Sequence, residues 1–139
     1  MRIYAKQKKG AFLYASNFSL GMNIFFEINK TLAKLMKNQN YESSLHEIHH
    51  TKKLDSPSGT AKSLGKQMDS ILENHTPITS ERIGNFSGTH IINYISKVDE
   101  IEIKHRAKNR DGFAIGALIA GIWIIGKQGI FSMQDVLAQ

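Results

Sequence analysis

Helices packed on one face of a mixed, mostly antiparallel sheet, an α+β layer, are what the amino-acid sequence predicts. Two patterns carry that expectation. Periodic stretches follow one another in the order helix, strand, helix, strands, helix. In the segment from Glu100 to Ala107, Ile101, Ile103, His105 and Ala107 alternate with Glu100, Glu102, Lys104 and Arg106, as in a half-buried strand. At 139 residues, 41% hydrophobic and 22% charged, the chain is long enough for one domain with a core, and nothing in it marks an internal boundary. Residues 1–10 are read as a linker and 11–139 as the domain.

Phe12, Leu13 and Tyr14 form a short β-prone run. Asn17 can then cap a helix on which Phe18, Met22, Phe25, Leu32, Leu35 and Met36 recur at helical spacing, ending near Lys37 to Asn40. From Tyr41 to His49 a strand is expected, with Tyr41, Leu45 and His49 on one face and Ile48 and His50 on the other. A loop containing Pro57 leads into a second amphipathic helix bearing Ala61, Leu64, Met68, Ile71 and Leu72, which Asn74 to Pro77 breaks. Ile91 to Ile95 and Glu100 to Ala107 flank a short turn and form a hairpin. The last helix, from about Phe113, is apolar on nearly every face and is expected to be buried in the core or in a subunit contact.

That apolar stretch, Phe113 to Gly126, falls short of the roughly 18 residues of a membrane span. No secretory signal is visible at Met1 to Gly10. Without cysteine, disulfide and thiolate chemistry are excluded, and cytoplasmic residence is the default. The formal charge of +6 suits an acidic partner. Basic residues gather at Lys6 to Lys9, at Lys52 and Lys53, and at Lys104 to Arg110, with little aromatic interleaving, so a solvated surface is favoured over nucleic acid or membrane as a partner.

The densest group of reactive side chains is the run from Glu47 to Ala61, which leaves a strand and enters a helix. Pro57 suits a first helical turn, and Asp55, Ser56 or Ser58 can cap it. The free N–H groups at Gly59 and Thr60 then face outward at the positive helix end. Gly59 admits a ligand close to the backbone, Thr60 adds a hydroxyl donor and Lys53 a full charge, so a carboxylate or phosphate fits. His49 and His50 bring proton-exchanging groups beside it. A plain capped helix after a polar loop accounts for the same letters about equally well. His46-Glu47-Ile48-His49-His50 also fits the H-E-x-x-H pattern of zinc peptidases, with Glu73 or His75 as third ligand, but that pattern requires a helix and this flank alternates like a strand. His90 and His105 read as packing, and Lys104 and Arg110 as solvated strand-end charges. No G-x-G-x-x-G occurs.

The run from Glu47 to Ala61 resembles the pattern E-x-H-H-x-x-K-x-D-x-P-S-G-T-A of 4-hydroxy-tetrahydrodipicolinate reductases at every fixed position. Ala15 to Gly21 resembles the family's A-x-N-F-S-x-G segment, His105 to Ala117 its H-x-A-x-x-R-x-x-F-A-x-G-A segment, and Met133 to Leu137 its C-terminal end. The resemblance implies the substrate-binding and oligomerising half of an oxidoreductase that uses NADH or NADPH to reduce a cyclic, unsaturated dicarboxylate in lysine and diaminopimelate synthesis. It implies His49 as acid/base group and Lys53 as proton donor. His50, Ser58, Gly59 and Thr60 would hold substrate carboxylate, and Ala15, Ser16, Asn17, Phe18 and Arg110 would lie near the nicotinamide, with no metal. It further implies a tetramer formed through this domain. The Rossmann-type domain that opens family members is expected to be missing, so that a separate nucleotide-binding chain becomes a partner and the chain alone is expected to be inactive.

Overall fold

The computed structural model describes residues 9–138, so the linker expected at residues 1–10 and the first basic cluster lie largely outside the described residues. The chain forms two compact units. One runs from Phe25 to Asn109, and the other combines the stretch up to Ile24 with the stretch from Arg110 onward.

The Phe25–Asn109 unit is built on a four-stranded sheet. Strand β2 (Glu42–His49) pairs in parallel with β3 (Ile78–Arg82) and antiparallel with β4 (Thr89–Ile95), and β4 pairs antiparallel with β5 (Glu100–Arg106), giving the order β3-β2-β4-β5. The sheet is therefore mixed and mostly antiparallel, as the alternation predicts. On β2 the buried residues are Leu45, Glu47 and His49, two apart as the pleat requires. Helix α2 (Gly59–Leu72) packs on β2 and β3 and buries Ala61, Leu64, Gly65 and Met68, which join Ile92 and Tyr94 in the core. Strand β3 went unforeseen because its Thr79, Ser80, Glu81 and Arg82 leave Ile78 as the only apolar residue. Its half-buried positions nevertheless alternate.

Helix α1 (Leu20–Met36) starts two residues later than a cap at Asn17 suggests. Ser19 is the cap, its Oγ accepting the Met22 N–H at 3.3 Å, while Asn17 Oδ1 accepts the Ser19 N–H at 2.9 Å. The buried stripe of α1 also differs from the apolar pattern. Met22, Phe25, Asn29, Ala33 and Met36 are buried, whereas Leu35 is 68% exposed. Asn29 can lie inside because its Nδ2 donates to Gln67 Oε1 at 2.7 Å and to the Leu64 carbonyl at 3.4 Å. Helix α2 is capped by Ser58, whose Oγ accepts the Ala61 N–H at 3.1 Å, so Pro57 lies just before the cap and not in the first turn.

In the other unit, β1 (Ala11–Leu13) pairs in parallel with β6 (Gly129–Phe131), and α4 (Met133–Leu137) follows behind the capping box of Ser132 and Asp135. Ala120, Met133 and Val136 form its core, with Leu13, Ala15, Phe18, Ile119 and Trp123 packed around them. Of the two places expected for the apolar helix, the core of its own unit takes only a narrow stripe of α3 (Asp111–Trp123). Gly116 and Ala120 are its buried residues, whereas Ile115, Leu118 and Ile122 are exposed. The reason is steric: the contact with the Phe18 backbone is made through Gly116, so the small residues face inward and the large ones outward.

Candidate functional site

Glu47 anchors the site. It sits on the inward face of β2, fully buried, where an unpartnered carboxylate would be costly. Its Oε1 accepts the Arg82 Nη2–H at 2.8 Å and the Ser58 backbone N–H at 3.1 Å, and its Oε2 lies against His49 Nδ1. Burial, the largest single influence on Glu47, raises its pKa. The hydrogen bonds from Arg82 and Ser58, with the nearby Ser80 hydroxyl and His49, together outweigh it and bring the pKa down to about 2. Arg82, opposite His49 in the β2–β3 register, also donates to the Asp55 carbonyl at 2.5 Å. One guanidinium thus ties the buried carboxylate to the loop ahead of α2.

His49, the last residue of β2, is buried, and burial holds its pKa below the ordinary value against the opposing pull of Glu47. His90 on β4 meets it edge to face, with ring centroids 5.2 Å apart, and its Nε2 lies 3.4 Å from Ser58 Oγ. His90 is 3% exposed, and burial first, then the neighbouring His49, push its pKa down to about 4. Its strand neighbour His105 stacks at 5.8 Å on Phe25, in keeping with a packing role. A sign follows for His90. The unfolded chain takes up a proton at 6.5 and the folded chain only at about 4, so the contribution of neutral His90 is complete above pH 6.5 and lost as pH falls toward 4. The loss amounts to about 3 kcal/mol. Urea unfolding of the wild-type chain should weaken steeply between pH 6.5 and 4, and His90→Gln should flatten that slope; an equal slope in both would contradict the assignment.

Beyond His49 the chain turns, with the Lys53 N–H donating to the His50 carbonyl at 3.1 Å. Lys53 Nζ lies 2.7 Å from Asp55 Oδ1. The Asp55 carboxylate is held below its usual pKa range chiefly by the Lys53 hydrogen bond, with the Gly59 N–H also contributing. The lysine expected to bind an anion thus pairs with a carboxylate of the chain itself. Gly59 opens onto free space, since a Cβ there would meet nothing within 4 Å. Thr60, the next residue, is half-buried, as is His50 just past the end of β2. Ser58 gives its N–H to Glu47 and accepts the Ala61 N–H at its hydroxyl.

The zinc-peptidase pattern fails on geometry. His46 to His50 lie along β2 and its end, and His46 points away from the buried face toward Thr79 Oγ1 at 2.7 Å and Glu81 at 3.3 Å. Glu47, His49 and His90 do bring ligand atoms within 4.8 Å of one another, but the cation beside Glu47 is the Arg82 guanidinium. Of these residues Arg82 gave no signal in the sequence. Glu47 did, because a carboxylate between Leu45 and His49 on the inward face of a strand needs a partner.

Ala15, Ser16, Asn17, Phe18 and Arg110 belong to the other unit. Asn17 and Ser19 carbonyls accept Asn23 Nδ2–H at 2.9 and 2.8 Å, which fixes the turn, and the Arg110 guanidinium lies 5.8 Å from the centre of the Phe113 ring. Ala15 and Phe18 pack on the core, leaving Ser16 exposed. No helix among the described residues is long and apolar enough to cross a membrane.

Comparison with known proteins gives these residues a family. The family model described as dihydrodipicolinate reductase, C-terminus, matches residues 21–137. A 4-hydroxy-tetrahydrodipicolinate reductase of Christiangramia forsetii is 47% identical over 99% of this chain and 63% of its own length. A reductase of the same name from Neisseria meningitidis serogroup B is 35% identical, covering 97% of this chain and 57% of its own. The fold is that of a dipicolinate-bound dihydrodipicolinate reductase from Paenisporosarcina sp. TG-14, with a TM-score of 0.80 at 19% identity over 96% of this chain and 57% of that one. The chain spans about 60% of the length of these relatives. It belongs to the dihydrodipicolinate reductase family, and the matched region is the family's C-terminal part.

Proposed function

We propose that this chain supplies the substrate site for the NAD(P)H-dependent reduction of 4-hydroxy-tetrahydrodipicolinate to tetrahydrodipicolinate in lysine and diaminopimelate synthesis. The observation that carries the proposal is the Asp55 carboxylate held 2.7 Å from Lys53 Nζ just ahead of the α2 N-terminus, where Gly59 opens onto free space, because the same lysine and helix start would take a substrate carboxylate. Thr60 follows Gly59 at that helix start, His50 would join it in holding carboxylate, and the acid/base group is His49. Ser58 contributes by capping α2 and so presenting Gly59 and Thr60. A bound nicotinamide cofactor, NADH or NADPH, supplies the hydride. The 4-hydroxyl leaves as water before the hydride adds, and Lys53 Nζ would then give a proton to the ring carbon that becomes nucleophilic, the carboxylate contacts keeping that carbon within reach.

The residues present fit only one side of a cofactor. The fixed turn at Ser16 and Asn17 and the cation of Arg110 suit the nicotinamide side, whereas the chain holds no G-x-G-x-x-G to grip the pyrophosphate. A separate nucleotide-binding partner and assembly into a tetramer complete the reading, in the cytoplasm, with neither nucleic acid nor membrane as partner. Such contacts would cover the apolar residues of α3 that one chain leaves exposed.

Calorimetric titration with pyridine-2,6-dicarboxylate, a planar mimic of the substrate, tests the site without turnover. Saturable binding that NADH does not tighten is expected, with loss of the signal in Thr60→Ala. Absence of binding by the folded wild-type chain would defeat the proposal.

A further inference from the structure

We propose that Glu47, clamped by Arg82, is a positioning residue that fixes His49 as the Nδ1–H tautomer and registers that histidine to the start of α2. Three observations carry it. Glu47 Oε2 and His49 Nδ1 lie against each other, and neither has another hydrogen-bond partner among the described residues. Glu47 Oε1 meanwhile holds the Arg82 Nη2–H at 2.8 Å and the Ser58 N–H at 3.1 Å. One carboxylate thus touches both the histidine and the residue that caps the anion-binding helix. Finally, the far side of the His49 ring faces Gly88, where an added Cβ would come within 2.9 Å of Nε2, so glycine leaves that nitrogen uncovered.

The chemistry follows from the donor inventory. An ionised carboxylate only accepts, so Nδ1 beside it must carry a proton, and in a neutral imidazole the lone pair then lies on Nε2. Burial favours that neutral ring. The charged and titratable groups facing His49 are Glu47 on its own strand, Arg82 on β3, His90 on β4 and Lys53 in the following loop. Arg82 keeps Glu47 ionised, and its bond to the Asp55 carbonyl holds the loop that bears Lys53. A catalytic histidine with one ring nitrogen tethered presents the other in a fixed direction. The catalytic half of the inference rests on the reading of His49 as the acid/base group; the tautomer does not.

Ring-nitrogen NMR of the full chain reads the tautomer directly. For wild type above neutral pH, Nδ1 should be protonated and Nε2 bare. Glu47→Gln, checked for folding by its amide spectrum, should give mixed tautomers and a lower midpoint for His49 protonation. A protonated Nε2 in wild type, or an unaltered tautomer and midpoint in the folded variant, overturns the inference. Should Glu47→Gln not fold, the wild-type tautomer still decides, and Glu47→Asp, which keeps the charge but withdraws it from Nδ1, replaces it. In the enzyme assembled with its nucleotide-binding domain, Glu47→Gln should lower kcat roughly 100-fold with little change in KM. Full turnover beside an altered tautomer would overturn the catalytic half alone, by taking His49 out of the chemistry.

Discussion

Lys53→Met, made in an enzyme assembled from this chain and the nucleotide-binding domain of its relatives, should lower kcat roughly 10²- to 10⁴-fold, the range over which a positioned proton donor accelerates a reaction. Methionine keeps the unbranched, half-buried stem and removes the ammonium. The loop keeps the Arg82 hydrogen bond to the Asp55 carbonyl, the Thr51 N–H bond to the Gly84 carbonyl and the backbone bond from the Lys53 N–H to the His50 carbonyl, none of which needs the ammonium. Loss of folding would therefore not account for the result. The substitution also frees Asp55 from its 2.7 Å partner and leaves an unpaired carboxylate at the helix start, so KM should rise as well. Steady-state oxidation of NADPH by the variant measures both. Turnover within threefold of wild type would refute the donor role.

The largest effect on stability is expected at Gly116. A Cβ at that position would lie 1.8 Å from the Phe18 carbonyl oxygen and 2.7 Å from its carbon, both backbone atoms. No rotamer relieves such a contact, so α3 must shift and the core of Ala120, Met133 and Val136 must open with it. Gly116→Ala should cost about 3 kcal/mol or more. Gly121 in the same helix is the control, because its Cβ would meet nothing within 4 Å and alanine is the better helix former there. Gly121→Ala should stabilise by up to about 1 kcal/mol. Trp123, the chain's one tryptophan, belongs to this unit, and its fluorescence during urea unfolding reports both changes. Equal midpoints for the two variants would mean that Gly116 is not packed as described.

The legibility of the fold followed how locally each element is determined. Strands β2, β4 and β5 were readable because an apolar-in alternation survives in their letters. Helix α2 was readable from its stripe and from serine at its start. What escaped depends on partners distant in the chain. Strand β3 is ordered by its pairing with β2 despite a polar sequence, and β6, the partner of the expected β1, pairs with it across more than a hundred residues. The division into two units falls inside α1, where periodicity runs on undisturbed.

The site divides the same way. Lys53, Gly59 and Thr60 lie close together in the chain, so an anion site at this helix start could be expected from spacing alone, and the Ser58 cap that begins α2 was among the candidates the letters offered. Arg82 reaches Glu47 across a strand pairing that spacing does not reveal. The mistaken helical stripe had a like cause, since Asn29 is buried only because Gln67 and Leu64 satisfy it.

Residue-level mapping of dicarboxylate binding tests the central claim most directly. Amide NMR spectra of the full chain, recorded during titration with pyridine-2,6-dicarboxylate, should show their largest shifts at Lys53, Asp55, Gly59 and Thr60, as the ligand displaces Asp55 from the start of α2. Shifts confined to other residues, or none at ligand concentrations that saturate the calorimetric signal, would contradict the assignment of this helix start as the substrate site.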